Sequence, residues 1–230
     1  MDIKRISIIG MGALGVLYGE FFTRKLGKEH VEFVADEGRI ERYRREGVVC
    51  NGVPCDFNIV NEAEEGKPAD LLIFAVKATA LDNAIKTARN KVSKDTIILS
   101  LLNGISSEEI IGQVYGMDKM LYCVAQGMDA VKIGNELKYT QFGKTCIGII
   151  DQDENMKKKL QAVVDLFDKT GLPYTLESDI KHRLWSKFMV NVGVNQAVMI
   201  YEGTYATVQQ PGEARELMIA AMREVMMLAE

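Results

Sequence analysis

The sequence predicts an α/β protein: a doubly wound parallel sheet followed by an all-helical C-terminal region. Three observations carry this. Short β-branched runs alternate with helically spaced stretches from residue 5 onward. The runs "LLIFAV" and "IILSLL" are almost continuously apolar, as expected of strands covered on both faces of a parallel sheet. From Asp179 the strand texture stops and helical spacing takes over, which places a domain boundary between Thr175 and Asp179 and divides 1–177 from 178–230.

"RISIIG" opens the chain as a strand ending in glycine. Ala13 to Leu26 then turns helical, with Leu14, Leu17, Tyr18, Phe21, Phe22 and Leu26 on one face. "HVEFVAD" alternates like a second strand, and Arg39 to Glu46 is a charged helix stopped by Gly47. In "VVCNGVPCDFNIV", Asn51-Gly52 stands between two strand-like arms, a hairpin signal because both turn residues tolerate positive φ. "ADLLIFAVK" is a buried strand, Ala80 to Lys91 a helix, "TIILSLLN" another strand and Ser107 to Val114 another helix. "MLYCVAQ", "ELKYTQFG" and "KTCIGII" continue as strands, Asn155 to Thr170 is helical, and "PYTLES" closes the region as a strand. With βα alternation of this kind the crossovers are expected to be right-handed and the sheet parallel.

Of the 230 residues, 47% are hydrophobic and 26% charged, with a net charge of −4 and no block of Lys or Arg. That balance argues against nucleic acid or a membrane surface as the partner and for a small molecule. No apolar run is long enough to span a bilayer, and the charged start "MDIKRISII" lacks the features of a secretory signal, so a cytoplasmic protein is expected. Four scattered cysteines and two distant histidines lack metal-ligand spacing, and the thiols are expected to be reduced.

Gly10-Met11-Gly12-Ala13-Leu14-Gly15 is a G-x-G-x-x-G turn ending the first strand and opening the first helix. In this setting Gly10 permits the tight turn, Gly12 lets backbone approach a pyrophosphate, and Gly15 lets helix pack on strand. The helix N-terminus adds unpaired N–H groups and partial positive charge. The first region is therefore expected to be a Rossmann-type dinucleotide-binding domain. Asp36 ends the second strand, where an acid can accept from a ribose 2′-hydroxyl and favour NAD, or can cap the next helix. Arg39 and Arg42 follow and could clamp a 2′-phosphate, so the residues leave NADP and NAD both open. Lys77 and Asn103, with Gly104, end later strands at the edge where open sheets bind ligands; a surface lysine and a turn-forming Asn-Gly are the competing readings.

"LWSKFMVNVGVNQAVMI" reads as one helix, Leu184 to Ile200, apolar nearly all round. Lys187, Asn191 and Asn195 interrupt it at intervals of four, and at about 100° per residue such steps drift only about 40°, so the three form one polar row. An ammonium and two amides on a buried helix need hydrogen-bond partners, and a polar ligand could supply them. The last segment, "GEARELMIAAMREVMMLAE", places Leu217, Met218, Ala221, Met222, Val225 and Met226 on one apolar face. It stops without a cap, so a partner chain or further residues are expected to cover that face.

The motifs "IIGMGALG", "FAVKA", "LLNG" and "RLWSKFMVNVGVNQ", in this order, resemble the ketopantoate reductases (2-dehydropantoate 2-reductases), across essentially the whole chain. The resemblance implies NADPH-dependent reduction of ketopantoate to pantoate on the route to pantothenate and coenzyme A. It makes Lys187 the catalytic lysine, Asn103 the asparagine contacting both cofactor and lysine, and Asn191 and Asn195 the substrate-binding pair. Lys77 resembles the family's cofactor-contacting lysine and Ala130 its backbone contact near the nicotinamide. The chain departs from the pattern in three ways. Gln196 stands where the family usually has proline. Arg39 must hold a 2′-phosphate if NADP rather than NAD is used. The family's later helices, which contribute a serine and a glutamate, would lie beyond Glu230. A related 2-keto acid reductase using NADH, or a non-catalytic nucleotide-binding module, is the alternative, and a homodimer is an admissible assembly.

Overall fold

The computed structural model describes residues 1–229. Two compact units can be distinguished: Met1–Leu102 with Ser106–Ile180, and Asn103–Ile105 with Lys181–Glu230.

In the first unit, β1 (Ile6–Ile9) passes through the glycine turn into α1 (Ala13–Leu26) and β2 (Val31–Ala35) into α2 (Glu37–Glu46). The hairpin strands β3 (Val49–Cys50) and β4 (Val53–Pro54) follow, then β5 (Asn58–Asn61), β6 (Leu71–Phe74), α3 (Leu81–Ala88) and β7 (Ile97–Ser100). Next come α4 (Ser107–Tyr115), β8 (Met120–Gln126), β9 (Val131–Ile133), β10 (Glu136–Lys138), β11 (Lys144–Gly148), α5 (Glu154–Thr170) and β12 (Tyr174–Leu176).

The main sheet runs β12-β11-β8-β7-β6-β1-β2-β5. Its centre is buried on both faces. Ile6, Ile8, Leu71 and Ile73 belong to one apolar cluster, while their neighbours Ile9, Leu72 and Phe74 belong to the other. This is the period-2 alternation of a strand with helices on either side, and it explains why these runs read as continuously apolar. Side-chain caps begin two of the helices: Asp36 accepts from Arg39 N and Asp153 from Met156 N, each at 2.8 Å.

Two expectations are corrected. The sheet is not wholly parallel, because β11 runs antiparallel to β8. The chain returns between them through the short β9–β10 excursion, and an antiparallel return needs no helical crossover. The hairpin is also shorter than the two arms suggested. Asn51 (φ 48°) and Gly52 (φ 79°) turn between strands of two residues, and "DFNIV" leaves it to pair parallel with β2. The hairpin instead joins a second, four-stranded sheet in the order β4-β3-β10-β9.

The helical part consists of α6 (Ile180–Val190), a π-helical turn at Asn191–Asn195, α7 (Gln196–Ile200), α8 (Tyr205–Gln209) and α9 (Glu213–Ala229). The single helix expected over Leu184–Ile200 is thus interrupted by a wide turn. Gly193 gives the local reason: a Cβ there would lie 2.5 Å from Met222 Cγ and 3.0 Å from Met218 O, so α9 backs directly onto the bulged backbone. Part of the apolar stripe of α9 accordingly has a surface to pack against, while Met226 is 55% exposed. Leu217 and Met218 pack on a small cluster of Ala197, Val208 and Ala214. The stretch is not buried nearly all round, however: Val190 and Ile200 are exposed and Met199 is 71% exposed.

Candidate cofactor and substrate site

β1 is paired in parallel with β2 on one side and β6 on the other, so the chain leaves β1 at a point where strand order reverses. The carboxyl ends of β1, β2, β6, β7 and β8 share one edge of the sheet, because β6–β7 and β7–β8 are parallel as well. That edge carries the glycine turn, Asp36, Lys77, the loop bearing Asn103 and, four residues past β8, Ala130. Open α/β sheets bind nucleotides at such a switch point.

The three glycines of the turn differ in what the protein itself demands of them. Gly10 has φ +102°, and a Cβ would meet Ala75 O and Val76 Cγ1 at 2.7 Å. At Gly15 a Cβ would sit 2.0 Å from Gly10 O, so helix and turn close on each other only through glycine. At Gly12 the nearest atom would be Ala75 O at 3.6 Å and φ is −73°, so neither space nor backbone requires glycine. What remains is clearance on the exposed side, where a pyrophosphate would approach. α1 starts at Gly12 without a side-chain cap and has no acidic residue in its first turn, which leaves its first N–H groups for an anion. Met11 is buried in the core, and Ala13 and Leu14 pack against it, so these three could meet a cofactor mainly through backbone.

Asp36 takes up one of the two roles the residues suggested for it, the helix cap. Its carboxylate caps α2 through Arg39 N, and its Oδ2 lies 3.5 Å from Arg39 Nη1. The pair is half-exposed, and its opposite charges offset each other at the carboxyl end of β2. Lys77 is exposed and precedes a short 3₁₀ turn at Ala78–Ala80. Asn103 is exposed, followed by Gly104 at φ +113°, the backbone geometry that the Asn-Gly pair favours. Ala130 is half-buried, and its neighbour Asp129 accepts from Thr140 N at 2.9 Å, Gln141 N at 2.8 Å and Thr140 Oγ1. These bonds hold the Asp129 carboxyl below its ordinary pKa. This clamp, from residues ten and more positions away, leaves no signature in the sequence around Ala130.

Asn103 belongs to the same compact unit as Lys187, Asn191 and Asn195. Lys187 is half-buried near the end of α6, where Trp185 and Phe188 meet edge to face at 6.0 Å. The two amides stay together across the π turn: Asn195 Nδ2 donates to Asn191 Oδ1 at 3.4 Å, and Tyr205 Oη donates to Asn195 Oδ1 at 3.1 Å. Tyr205, on α8, was not anticipated from the sequence, because the turn that brings it back is tertiary. Its hydroxyl fixes which way the Asn195 amide faces and through it the Asn191 oxygen.

Among the described residues no helix is long and apolar enough to cross a membrane. Compared with known proteins, residues 6–152 match the family described as ketopantoate reductase PanE/ApbA, and residues 179–230 match its C-terminal part. A 2-dehydropantoate 2-reductase of Pyrococcus horikoshii is 28% identical over 201 residues, covering 86% of this chain but 64% of its own length. A crystal structure of 2-dehydropantoate 2-reductase from Geobacter metallireducens superposes with TM-score 0.83 at 23% identity, covering 98% of this chain and 75% of that one. A ternary structure of D-mandelate dehydrogenase with NADH and anilino(oxo)acetate superposes with TM-score 0.79 at 22% identity, covering 93% and 70%.

Proposed function

The chain belongs to the ketopantoate reductase family, and from that premise we propose that it serves the NADPH-dependent reduction of ketopantoate, a 2-keto acid, to pantoate. In this reading residues 1–177 form the dinucleotide-binding domain and 178–230 belong to the substrate domain. The cofactor supplies the hydride; the chain supplies position, charge and a proton. Hydride addition leaves negative charge on the former carbonyl oxygen. The Lys187 ammonium stabilises that oxygen and donates the proton to it. Asn191 and Asn195 hold the substrate's hydroxyl and carboxylate, and Asn103 orients the lysine while touching the cofactor. Gly10, Gly12, Gly15 and the start of α1 cradle the pyrophosphate, with Lys77 and the Ala130 backbone as further cofactor contacts.

The observation that carries the reading is the Lys187–Asn191–Asn195 row, whose two amides are linked to each other and to Tyr205. A row ordered in this way offers a lysine and two aimed amides, the groups a keto acid requires. The choice of NADPH over NADH is supported by the Asp36–Arg39 pair. With its charge offset by the guanidinium, Asp36 repels a 2′-phosphate less, and the planar fork suits phosphate oxygens.

The test follows absorbance at the nicotinamide band with ketopantoate, comparing NADPH with NADH. Turnover with NADPH in preference to NADH is expected, and equal use of both would remove the Arg39 clamp. Lys187→Ala is expected to lower kcat by about 10²- to 10⁴-fold while cofactor affinity is retained. Unchanged turnover in that variant would end the proposed role for Lys187.

A further inference from the structure

Glu108, in the first turn of α4, is 1% exposed, a depth that glutamate reaches only with a specific partner. Ser107 Oγ donates to Glu108 Oε2 at 2.8 Å, and the hydroxyl oxygens of Ser100 and Ser107 lie 2.8 Å apart. Because the Ser107 proton is committed to Glu108, Ser100 supplies the proton between the two serines. Leu102 N in turn donates to Ser100 Oγ at 3.4 Å. The result is one directed, buried run from Leu102 N–H through Ser100 and Ser107 to Glu108. It ties together the two ends of the 101–106 loop, and Asn103 stands on that loop beside Gly104.

The helix terminus alone does not account for this acid. Glu109 is exposed in the same turn and can face the positive end of α4 from water. Burial also pushes the Glu108 carboxyl above its ordinary range, opposite to what a charge serving the helix dipole needs. The carboxyl accepts from Ser107, and the end of a hydrogen-bonded run is where loss of an acceptor leaves a buried hydroxyl proton without a partner.

We propose that Glu108 is a positioning residue for Asn103: as terminal acceptor of the Leu102–Ser100–Ser107 run it holds the base of the 101–106 loop, and so the Asn103 amide, in the arrangement that receives the nicotinamide cofactor. This rests on the reading of Asn103 as a cofactor contact.

A double-mutant cycle on Glu108 and Asn103, read by fluorescence titration of NADPH, tests it without requiring turnover. Asn103→Ala is expected to weaken NADPH by about 10-fold and Glu108→Ala by about 5-fold, about 1.4 and about 1 kcal/mol respectively. In the Asn103→Ala background Glu108→Ala should then change affinity by less than about 2-fold, because its effect travels through the missing amide. Glu108→Gln, which keeps an acceptor oxygen, should restore wild-type affinity to within about 2-fold. Should Glu108→Ala fail to fold, Ser107→Ala breaks the same run with less loss of volume and must show the same dependence on Asn103. Equal losses with and without Asn103, or no loss in either variant, would overturn the proposal. If Asn103→Ala itself leaves NADPH affinity unchanged, the Asn103 reading falls and the proposal with it, whereas the Lys187→Ala assay reports on the reaction separately.

Discussion

The sheet unit and the helical unit use apolar residues in opposite ways. Ile6, Ile8, Leu71, Leu72 and Phe74 at the centre of the sheet are each 0% exposed, sealed by helices on both faces. In the helical unit the buried cluster is Ala197, Val208 and Ala214, while Met199, Ile200, Met226, Met227 and Leu228 stay exposed among the described residues. The proposed chemistry is divided between these settings. The glycine turn sits on the sheet unit, where backbone touches backbone; the two amides sit in the turn where the helix widens, and the lysine on α6 just before it. Tight packing thus accompanies the part proposed to present backbone N–H groups to an anion, and looser packing accompanies the part proposed to supply a proton and hydrogen bonds.

The sharpest way to break this contrast is a methyl group at each packed glycine. Gly15→Ala is expected to destabilise the protein by about 3 kcal/mol, because the clash is with the Gly10 carbonyl and neither backbone can yield. Urea unfolding measures it, and a loss under about 1 kcal/mol would mean the turn is softer than argued. Gly12→Ala comes next and inverts the pattern. Stability should stay within about 0.5 kcal/mol, since the new methyl meets only open space and an ordinary contact, while NADPH affinity drops by about 10-fold. Equal titration curves for the two proteins would remove the pyrophosphate from that turn. Gly193→Ala should cost about 1 kcal/mol, less than Gly15→Ala, because Met222 can swing aside even though Met218 O cannot. A thermal shift as large as that of Gly15→Ala would show the helical unit to be as rigid as the sheet.

Much of this could be read along the chain. α1 spans Ala13–Leu26 and β8 spans Met120–Gln126, the same bounds that periodicity assigns. In both, the apolar pattern and the bounding residues are local. The Asp36 cap was legible for the same reason, since a cap needs only its own helix. The π turn was not legible: Asn191, Gly193 and Asn195 satisfy the spacing of an ordinary helix, and only the close approach of Met218 and Met222 from α9 explains the widening. Nor was Tyr205, whose role depends on where α8 comes to rest. Nor was Glu108, whose burial beside an exposed Glu109 depends on what packs over α4.

By itself, then, the sequence determined what short-range chemistry controls: where most strands and helices begin and end, the backbone freedom of the glycine turn, and the four-residue spacing of Lys187, Asn191 and Asn195. Tertiary structure alone decided what depends on distant partners: the antiparallel return of β11 onto β8, the departure of β5 from the hairpin to the edge of the main sheet, the π turn against α9, and the buried run ending at Glu108. Those choices are made by register and by the competition of surfaces for burial, and such energies arise only between segments far apart in the chain.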